Sequence, residues 1–192
     1  NSLSDILPMA YWQSGDIDRA IKGYNALIKE LPKGDERLYS YYSILGDLYY
    51  EKENTSKAFS YYNKSLKLKP DYNPVLNNYA YYLCLEGKKL SKAAQMSKQT
   101  ILSEPDNPTY LDTYAWILYN MGEYQEAKLH LKHAMLYGGK DEPTLLDHYA
   151  DILFALGEYD LAFIYWERAE EKDPTLGISE KIKQKKGELK KQ

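Results

Sequence analysis

The sequence contains little cysteine and little arginine, and it lacks any long hydrophobic run. Its 192 residues include one cysteine, which excludes an internal disulfide framework. No apolar run approaches the roughly 18 residues that a membrane-spanning helix requires. Glycine and proline number only 11 and 8, which excludes collagen-like chains and flexible linkers. What is left is an ordinary globular or repeat protein with no direct membrane span.

The charge of the chain is weakly acidic and unevenly distributed. The formal net charge is -3, but residues 179–192 carry six lysines against two glutamates, so the preceding residues are clearly acidic. An acidic surface repels the phosphates of nucleic acids. Arginine, the usual residue for bidentate phosphate contacts, occurs only at Arg19, Arg37 and Arg168. We therefore expect no nucleic-acid partner.

Sequence motifs for catalysis or metal binding are absent. There is no glycine-rich phosphate loop, no GxSxG elbow, no HExxH motif and no repeated cysteine or histidine spacing. Cys84 has no histidine close to it in sequence, which argues against a nucleophilic role. His130 follows Glu126 by about one helical turn and His133 by about two, but this pattern is more typical of surface histidines than of a metal site. The sequence predicts no enzyme, no catalytic residue, no metal and no cofactor.

Self-similar segments recur along the chain with a period close to 35 residues. The segments SGDIDRAIKGY, MGEYQEAKLHL and LGEYDLAFIYW align without gaps on Gly15, Gly122 and Gly157. Two weaker copies place Glu53 and Gly87 at the same position, and the second has one extra residue before its alanine. These positions predict five units that cover residues 1 to about 175.

Each unit has the pattern of two helices joined by a tight turn. The stretch VLNNYAYYLCLEG places Leu76, Tyr79, Ala80 and Leu83 at the i, i+3, i+4 and i+7 spacing of one helical face. A glycine that adopts a left-handed backbone would then end the first helix. The second helix of four units is followed by a proline, which disfavours its continuation. These prolines are Pro32, Pro70, Pro105 and Pro174.

The pattern resembles the tetratricopeptide repeat over about nine tenths of the chain. That family has small residues at positions 8 and 27, alanine at 20, an aromatic residue near 24 and proline at 32. The second unit matches these positions with Gly46, Ala58, Tyr62, Ser65 and Pro70. The fourth unit departs from the pattern, because Gly138 and Gly139 replace its proline.

The resemblance implies an all-α fold, a right-handed superhelical solenoid of antiparallel helix pairs that forms a single domain over residues 1–192. We expect five repeats and a C-terminal capping helix. Their approximate bounds are 1–34, 39–72, 73–106, 108–141 and 143–176 for the repeats and 177–190 for the cap.

The two ends of the predicted solenoid differ. At the C-terminal end, we expect Leu176, Ile178 and Ile182 to cover the last repeat while the six lysines face water. At the N-terminal end, we expect a first helix that is short and interrupted by Pro8, with no polar helix before it. We therefore expect the natural chain to continue upstream with further repeats.

The family geometry implies that positions 5, 9 and 12 of each first helix face an inner groove. These positions have i, i+4 and i+7 spacing, so they share one helical face. Aromatic and acidic side chains dominate them, a combination suited to recognition. The alternative is that part of this wall packs against the neighbouring repeat. The predicted groove residues are Trp12, Asp47, Tyr50, Asn77, Tyr81, Asp112, Trp116, Tyr119, Asp147, Asp151 and Phe154.

The resemblance favours a noncatalytic protein-interaction scaffold that binds a peptide or a helix in this groove. Because positions 2, 5, 6 and 9 of repeats two to five carry no lysine or arginine, a neutral or basic ligand is expected rather than an acidic one. Two alternatives remain open: a self-assembly module that forms homo-oligomers, and an accessory domain of a larger envelope-associated protein. Tyrosine-rich repeats of this kind resemble those of exported or envelope-associated bacterial proteins, and a cytoplasmic location stays open. The identity of the protein partner is not encoded in any motif.

Overall fold

A computed structural model describes residues 3–192 of the chain. The chain forms two compact units, Asn1–Tyr79 and Ala80–Gln192, called unit 1 and unit 2 below. The described residues form eleven α-helices and contain no strand. Their bounds are α1 Ile6–Gln13, α2 Ile17–Glu30, α3 Leu38–Glu51, α4 Thr55–Leu68, α5 Asn73–Leu85, α6 Leu90–Ser103, α7 Pro108–Asn120, α8 Tyr124–Leu136, α9 Pro143–Ala155, α10 Tyr159–Lys172 and α11 Ile178–Lys190.

Helices that follow one another in sequence pack as pairs. In unit 1, α1 packs on α2 and α3 packs on α4; in unit 2, α7 packs on α8 and α9 packs on α10. Helix α11 then packs on α10, as expected for a cap on the last pair. The predicted all-α architecture of helix pairs is confirmed.

The turn inside each pair has the same backbone geometry in all five copies. Gly15, Glu53, Gly87, Gly122 and Gly157 all have positive φ, between 62° and 84°. At the fifth copy, the N–H of Gly157 donates to the Phe154 carbonyl at 3.0 Å and the next N–H donates to the Leu153 carbonyl at 2.9 Å. The same two bonds occur in the other four turns, so each first helix ends in a Schellman motif.

The second repeat has Glu53 in place of the turn glycine and the third has one extra residue, and in both the backbone adjusts within the turn itself. Glu53 adopts the left-handed conformation that glycine occupies in the other four turns, with φ of 62°. In the third copy, the extra residue is accommodated by a second left-handed residue, Lys89, with φ of 48° just before α6 begins. The repeat period is therefore interrupted without loss of either helix.

We expect Glu53→Gly to stabilise unit 1 by about 1 kcal/mol, because a side chain in the left-handed region costs about that much and glycine does not. Ser60→Gly is the matched control, since Ser60 is exposed inside α4. There the same change should destabilise the protein by up to about 1 kcal/mol. Urea unfolding followed by circular dichroism would test both variants. Destabilisation by Glu53→Gly would contradict the strain argument.

Small residues allow the paired helices of unit 1 to approach closely. Gly46 of α3 faces Tyr62 of α4 so closely that an added Cβ would overlap the tyrosine ring. Gly23 of α2 similarly faces Pro8, whose Cγ would lie 2.7 Å from an added Cβ. Pro8 is buried and is the third residue of α1, where its missing N–H removes no helical hydrogen bond. The prediction that Pro8 interrupts the first helix is therefore wrong.

The core of unit 2 is continuous from α7 to α11. Trp166 is fully buried at its centre, with the small residues Ala115, Ala127, Ala150 and Ala162 also at 0% exposure. Ile178, the first residue of α11, is fully buried as well, and Ile182 packs against the same core. The cap helix is thus fixed to the last pair by two isoleucines.

Candidate functional site

The predicted site residues of unit 1 lie on α1, α3 and α5, and two of them belong to one polar network. Asp47 accepts hydrogen bonds from the Tyr62 hydroxyl and from Asn78 Nδ2, the latter at 3.1 Å. Asn78 Oδ1 in turn accepts from Asn77 Nδ2 at 3.3 Å. Burial raises the pKa of Asp47, and its two hydrogen bonds oppose this shift only partly. Asp47 and Asn77 are therefore connected through Asn78.

Three further features of unit 1 bear on recognition. Asn77 is only 6% exposed, and its Oδ1 has no hydrogen-bond partner among the residues that the structure describes. The Trp12 indole N–H donates to Glu51 Oε1 at 3.0 Å, which fixes the ring across α1 and α3. Tyr50 stacks with Phe59 at a centroid distance of 6.5 Å. These side chains are held in place by neighbours before any ligand is present.

In unit 2, the predicted site residues Trp116 and Tyr119 form a continuous aromatic stack with a third ring that the sequence analysis missed. The Trp116 ring stacks on the His148 imidazole at 4.0 Å and on the Tyr119 ring at 4.8 Å, both at 17°. Tyr119 continues to Tyr124 at 5.4 Å. We call His148, Trp116 and Tyr119 the aromatic face.

His148 joins the aromatic face to the acidic residues of the site. Its Nδ1 lies 2.8 Å from Asp112 Oδ1, which connects α7 with α9. Burial opposes protonation of the imidazole, but the carboxylates of Asp112, Asp147 and Asp151 outweigh it, so the pKa of His148 is raised. Trp116 is stacked between this imidazole of α9 and the Tyr119 ring of its own helix α7.

The other two aspartates of unit 2 share a cation from the C-terminal helix. Lys181 Nζ donates to Asp147 Oδ1 at 2.6 Å and to Asp151 Oδ1 at 3.2 Å. The indole N–H of Trp166 also donates to Asp151 Oδ1, at 3.1 Å. Burial raises the pKa of Asp151, although the positive charge of Lys181 opposes this shift. The expectation that all six C-terminal lysines face water is wrong for Lys181.

A second lysine of α11 also turns toward the site. Lys185 Nζ lies 5.0 Å from the centre of the Phe154 ring and is half-buried. Together these side chains line an open cavity of about 450 Å³, called the C-terminal cavity. Its lining residues are Tyr119, Asp151, Phe154, Ala155, Trp166, Lys181, Gln184 and Lys185. Three predicted site residues, Tyr119, Asp151 and Phe154, are therefore brought together here.

Cys84 and His130, the candidates for nucleophilic chemistry or metal binding, lie in surroundings that do not support either role. Burial raises the pKa of Cys84 to about 11, which keeps it as a thiol. His130 is half-buried and stacks on Tyr114 at 5.0 Å, so it is not the solvated side chain that was predicted. In residues 3–192, no three histidine, cysteine or acidic side chains are grouped to hold a metal ion. In the same residues, no helix is long and apolar enough to cross a membrane.

We expect the stability of unit 2 to fall as the pH rises above 6.5, through the folded-state pKa of His148. A raised pKa means that the folded state binds the proton more tightly than the unfolded state, so the stabilisation is complete below 6.5 and is lost on deprotonation. His148→Gln should remove this part of the pH dependence, whereas His133→Gln, at a histidine whose side chain is 40% exposed, should preserve it. Urea unfolding at a series of pH values would decide. Identical pH profiles for the parent and His148→Gln would refute it.

Comparison with known proteins identifies both the repeat and the fold. The family model for the tetratricopeptide repeat matches residues 39–72. No curated protein sequence matches the chain.

Similar solved structures include PilF of Pseudomonas aeruginosa, with a TM-score of 0.73 and 19% identity over 88% of this chain and 74% of that one. PilW, described as a type IV pilus biogenesis factor, gives a TM-score of 0.78 and 18% identity over 90% and 78%. TTC0263, a thermophilic tetratricopeptide-repeat protein of Thermus thermophilus, gives 0.74 and 16% over 95% and 96%. At these identities the likeness establishes the fold.

Proposed function

We infer that this chain, which carries a tetratricopeptide repeat and has the fold of tetratricopeptide-repeat proteins, is a noncatalytic scaffold that binds another protein. In unit 2, the proposed binding surface consists of the aromatic face and the adjoining C-terminal cavity. Unit 1 contributes its own candidate residues, Trp12, Asp47, Tyr50 and Asn77. Tyr81, which lies on α5 in unit 2, occupies another of the predicted inner positions.

The observation that carries the proposal is the ordered, partly exposed stack of Trp116 between His148 and Tyr119. Large rings fixed in place before binding supply contact area at low entropic cost, and tryptophan and tyrosine are frequent anchors of interfaces. The neighbouring cavity of about 450 Å³ is large enough for a side chain of a bound segment. This geometry supports recognition of an apolar side chain that is presented by a peptide or a helix.

The charges around the aromatic face favour a ligand segment that is neutral or basic. The four site aspartates all have internal partners: Tyr62 and Asn78 for Asp47, His148 for Asp112, and Lys181 for Asp147 and Asp151. Lys181 is already shared by two carboxylates, and Lys185 is paired with Glu188 at 3.4 Å, so neither lysine provides a free cation for an acidic ligand. An acidic segment would therefore meet carboxylates without matching cations, which disfavours it.

Screening a library of random peptides for binding to the purified chain would test the proposal. We expect selected sequences to be neutral or basic with one or two large apolar residues. They should bind with Kd values of about 10 μM, because ordering a flexible peptide offsets much of the contact energy. For the best selected peptide, Trp116→Ala should weaken binding by about tenfold or more in fluorescence anisotropy.

Leu102→Ala is the matched control, because Leu102 is 71% exposed on α6 and lies outside the proposed surface. It should leave the affinity for the same peptide unchanged. Selection of mainly acidic peptides would overturn the ligand preference. Equal binding by the parent and Trp116→Ala would overturn the site.

A further inference from the structure

Unit 2 has a second concave feature, which is built by α8, α9, α10 and the short turn Gly139–Asp141 between α8 and α9. It shares no residue with the aromatic face or the C-terminal cavity. It is a cleft of about 310 Å³. Its floor consists of Met135, Leu146, Tyr149 and Tyr165. Leu146 and Tyr149 are 1% and 3% exposed, so this floor belongs to the core and does not need a ligand to be ordered.

The rim of the cleft is basic, which distinguishes it from the acidic body of the chain. Lys132, Lys140 and Arg168 line it, and no acidic residue does. Lys132 and Lys140 make no ion pair within the described part of the chain, while Arg168 lies 5.0 Å above the Tyr165 ring. We call this feature the basic cleft. Three cations without carboxylate partners around an apolar floor complement an anionic ligand.

The apolar surface extends beyond the floor. Leu136 lines the cleft and is 82% exposed, and the adjacent Tyr137 is 53% exposed. Large apolar side chains that are exposed next to one another, with a polar rim, are typical of interaction surfaces. The planar guanidinium of Arg168 is held over Tyr165, a position from which its N–H donors can still reach a carboxylate.

We propose that the basic cleft is a second docking site, for an acidic segment of a partner protein. The segment inserts one bulky apolar side chain over Met135 and Tyr165 and places carboxylates against Lys132, Lys140 and Arg168. A membrane surface fits less well, because the cleft is concave on the scale of one side chain.

The experiment uses the purified chain and a fluorescein-labelled synthetic peptide in which a central Leu-Phe pair is flanked by three acidic residues on each side. We expect binding in the micromolar range at low salt, with affinity that falls as salt is added. Replacing Leu-Phe by Gly-Ser should weaken binding by about fivefold or more, because the apolar anchor is lost.

Two charge-reversal variants distinguish binding at the basic cleft from a general effect of the protein's net charge. Lys132→Glu with Arg168→Glu should weaken binding of the acidic peptide by about tenfold or more. Lys183→Glu with Lys190→Glu makes the same change in net charge at exposed positions of α11 and should have less than about a twofold effect. Circular dichroism melting of both variants would confirm that they are folded. Equal weakening by the two variants would refute a specific site.

Three additional measurements test whether the basic cleft acts separately from the aromatic face and whether an acidic protein segment is what binds it. Trp116→Ala should leave binding of the acidic peptide unchanged, so this proposal can fail or succeed separately from the proposed function. Cleft-dependent binding to phosphatidylglycerol-containing vesicles, with no binding of the peptide, would reassign the basic cleft to a membrane. Self-association in light scattering that the Lys132→Glu, Arg168→Glu variant abolishes would reassign it to a second copy of the chain. Either result would overturn the proposal.

Discussion

Trp166→Ala is expected to lower the free energy of unfolding of unit 2 by about 3–5 kcal/mol, one of the largest effects of a single substitution in this chain. Trp166 is fully buried and packs against Phe154 and Phe163, each at a centroid distance of 5.5 Å. Its removal leaves a cavity in the core and also deprives Asp151 of a hydrogen bond at 3.1 Å. Urea unfolding followed by circular dichroism would measure the loss.

Trp166→Phe separates the two contributions. Phenylalanine keeps an aromatic ring in the core but lacks the indole N–H, so Asp151 would retain only its contact with Lys181. We expect a smaller loss, of about 1–3 kcal/mol. The same loss in both variants would mean that packing contributes little, and it would contradict the assignment of Trp166 to the centre of the core.

The periodicity of the sequence contained most of the information about the fold. All five turn positions, including Glu53, adopt the left-handed backbone that the alignment on Gly15, Gly122 and Gly157 predicts. Glu53 could be placed because the spacing of the repeat, and not the residue type, defined the turn. Pro8 was misinterpreted for a related reason. A proline in the first turn of a helix and a proline that breaks a helix look the same in sequence.

Part of the candidate site also follows from local spacing. Asp112, Trp116 and Tyr119 lie at i, i+4 and i+7, so any helix over these residues places them on one face. The contact between Trp116 and Tyr119 could therefore be anticipated. The contact between Asp112 and His148 could not be anticipated. His148 is 36 residues away, about one repeat period, and the contact depends on how far α7 is shifted along α9.

The contact of Lys181 with Asp147 and Asp151 could not be predicted from the sequence either. Its partners Asp147 and Asp151 are 34 and 30 residues earlier, and α11 carries several other lysines that could have occupied the same place. Which lysine meets the aspartates depends on how α11 packs on α10, and that packing is fixed by the buried Ile178. Amphipathicity predicts that α11 covers the last pair, but it does not determine the register.

Because α11 covers the core of unit 2, its deletion is the second change for which we expect a large loss of stability. Removing residues 177–192 should lower the melting temperature of unit 2 by about 10 °C or more, because Ile178 and Ile182 no longer cover the core. Asp147 and Asp151 would also lose the cation that they share. We also expect the truncated chain to aggregate, since the exposed end of a helical repeat is apolar.

Point substitutions in α11 distinguish the stability that comes from the two isoleucines covering the core from the stability that comes from the charge of Lys181. Lys181→Gln keeps the isoleucines in place and should cost about 1–3 kcal/mol, because it removes only the charge that Asp147 and Asp151 share. Lys183→Gln with Lys190→Gln, at exposed positions of the same helix, should change stability by less than about 0.5 kcal/mol. Calorimetric melting of the three proteins beside the truncation gives the comparison. A truncated chain that is as soluble and as stable as the parent would show that α11 is an appendage, whereas equal losses in the two lysine variants would show that Lys181 contributes only through net charge.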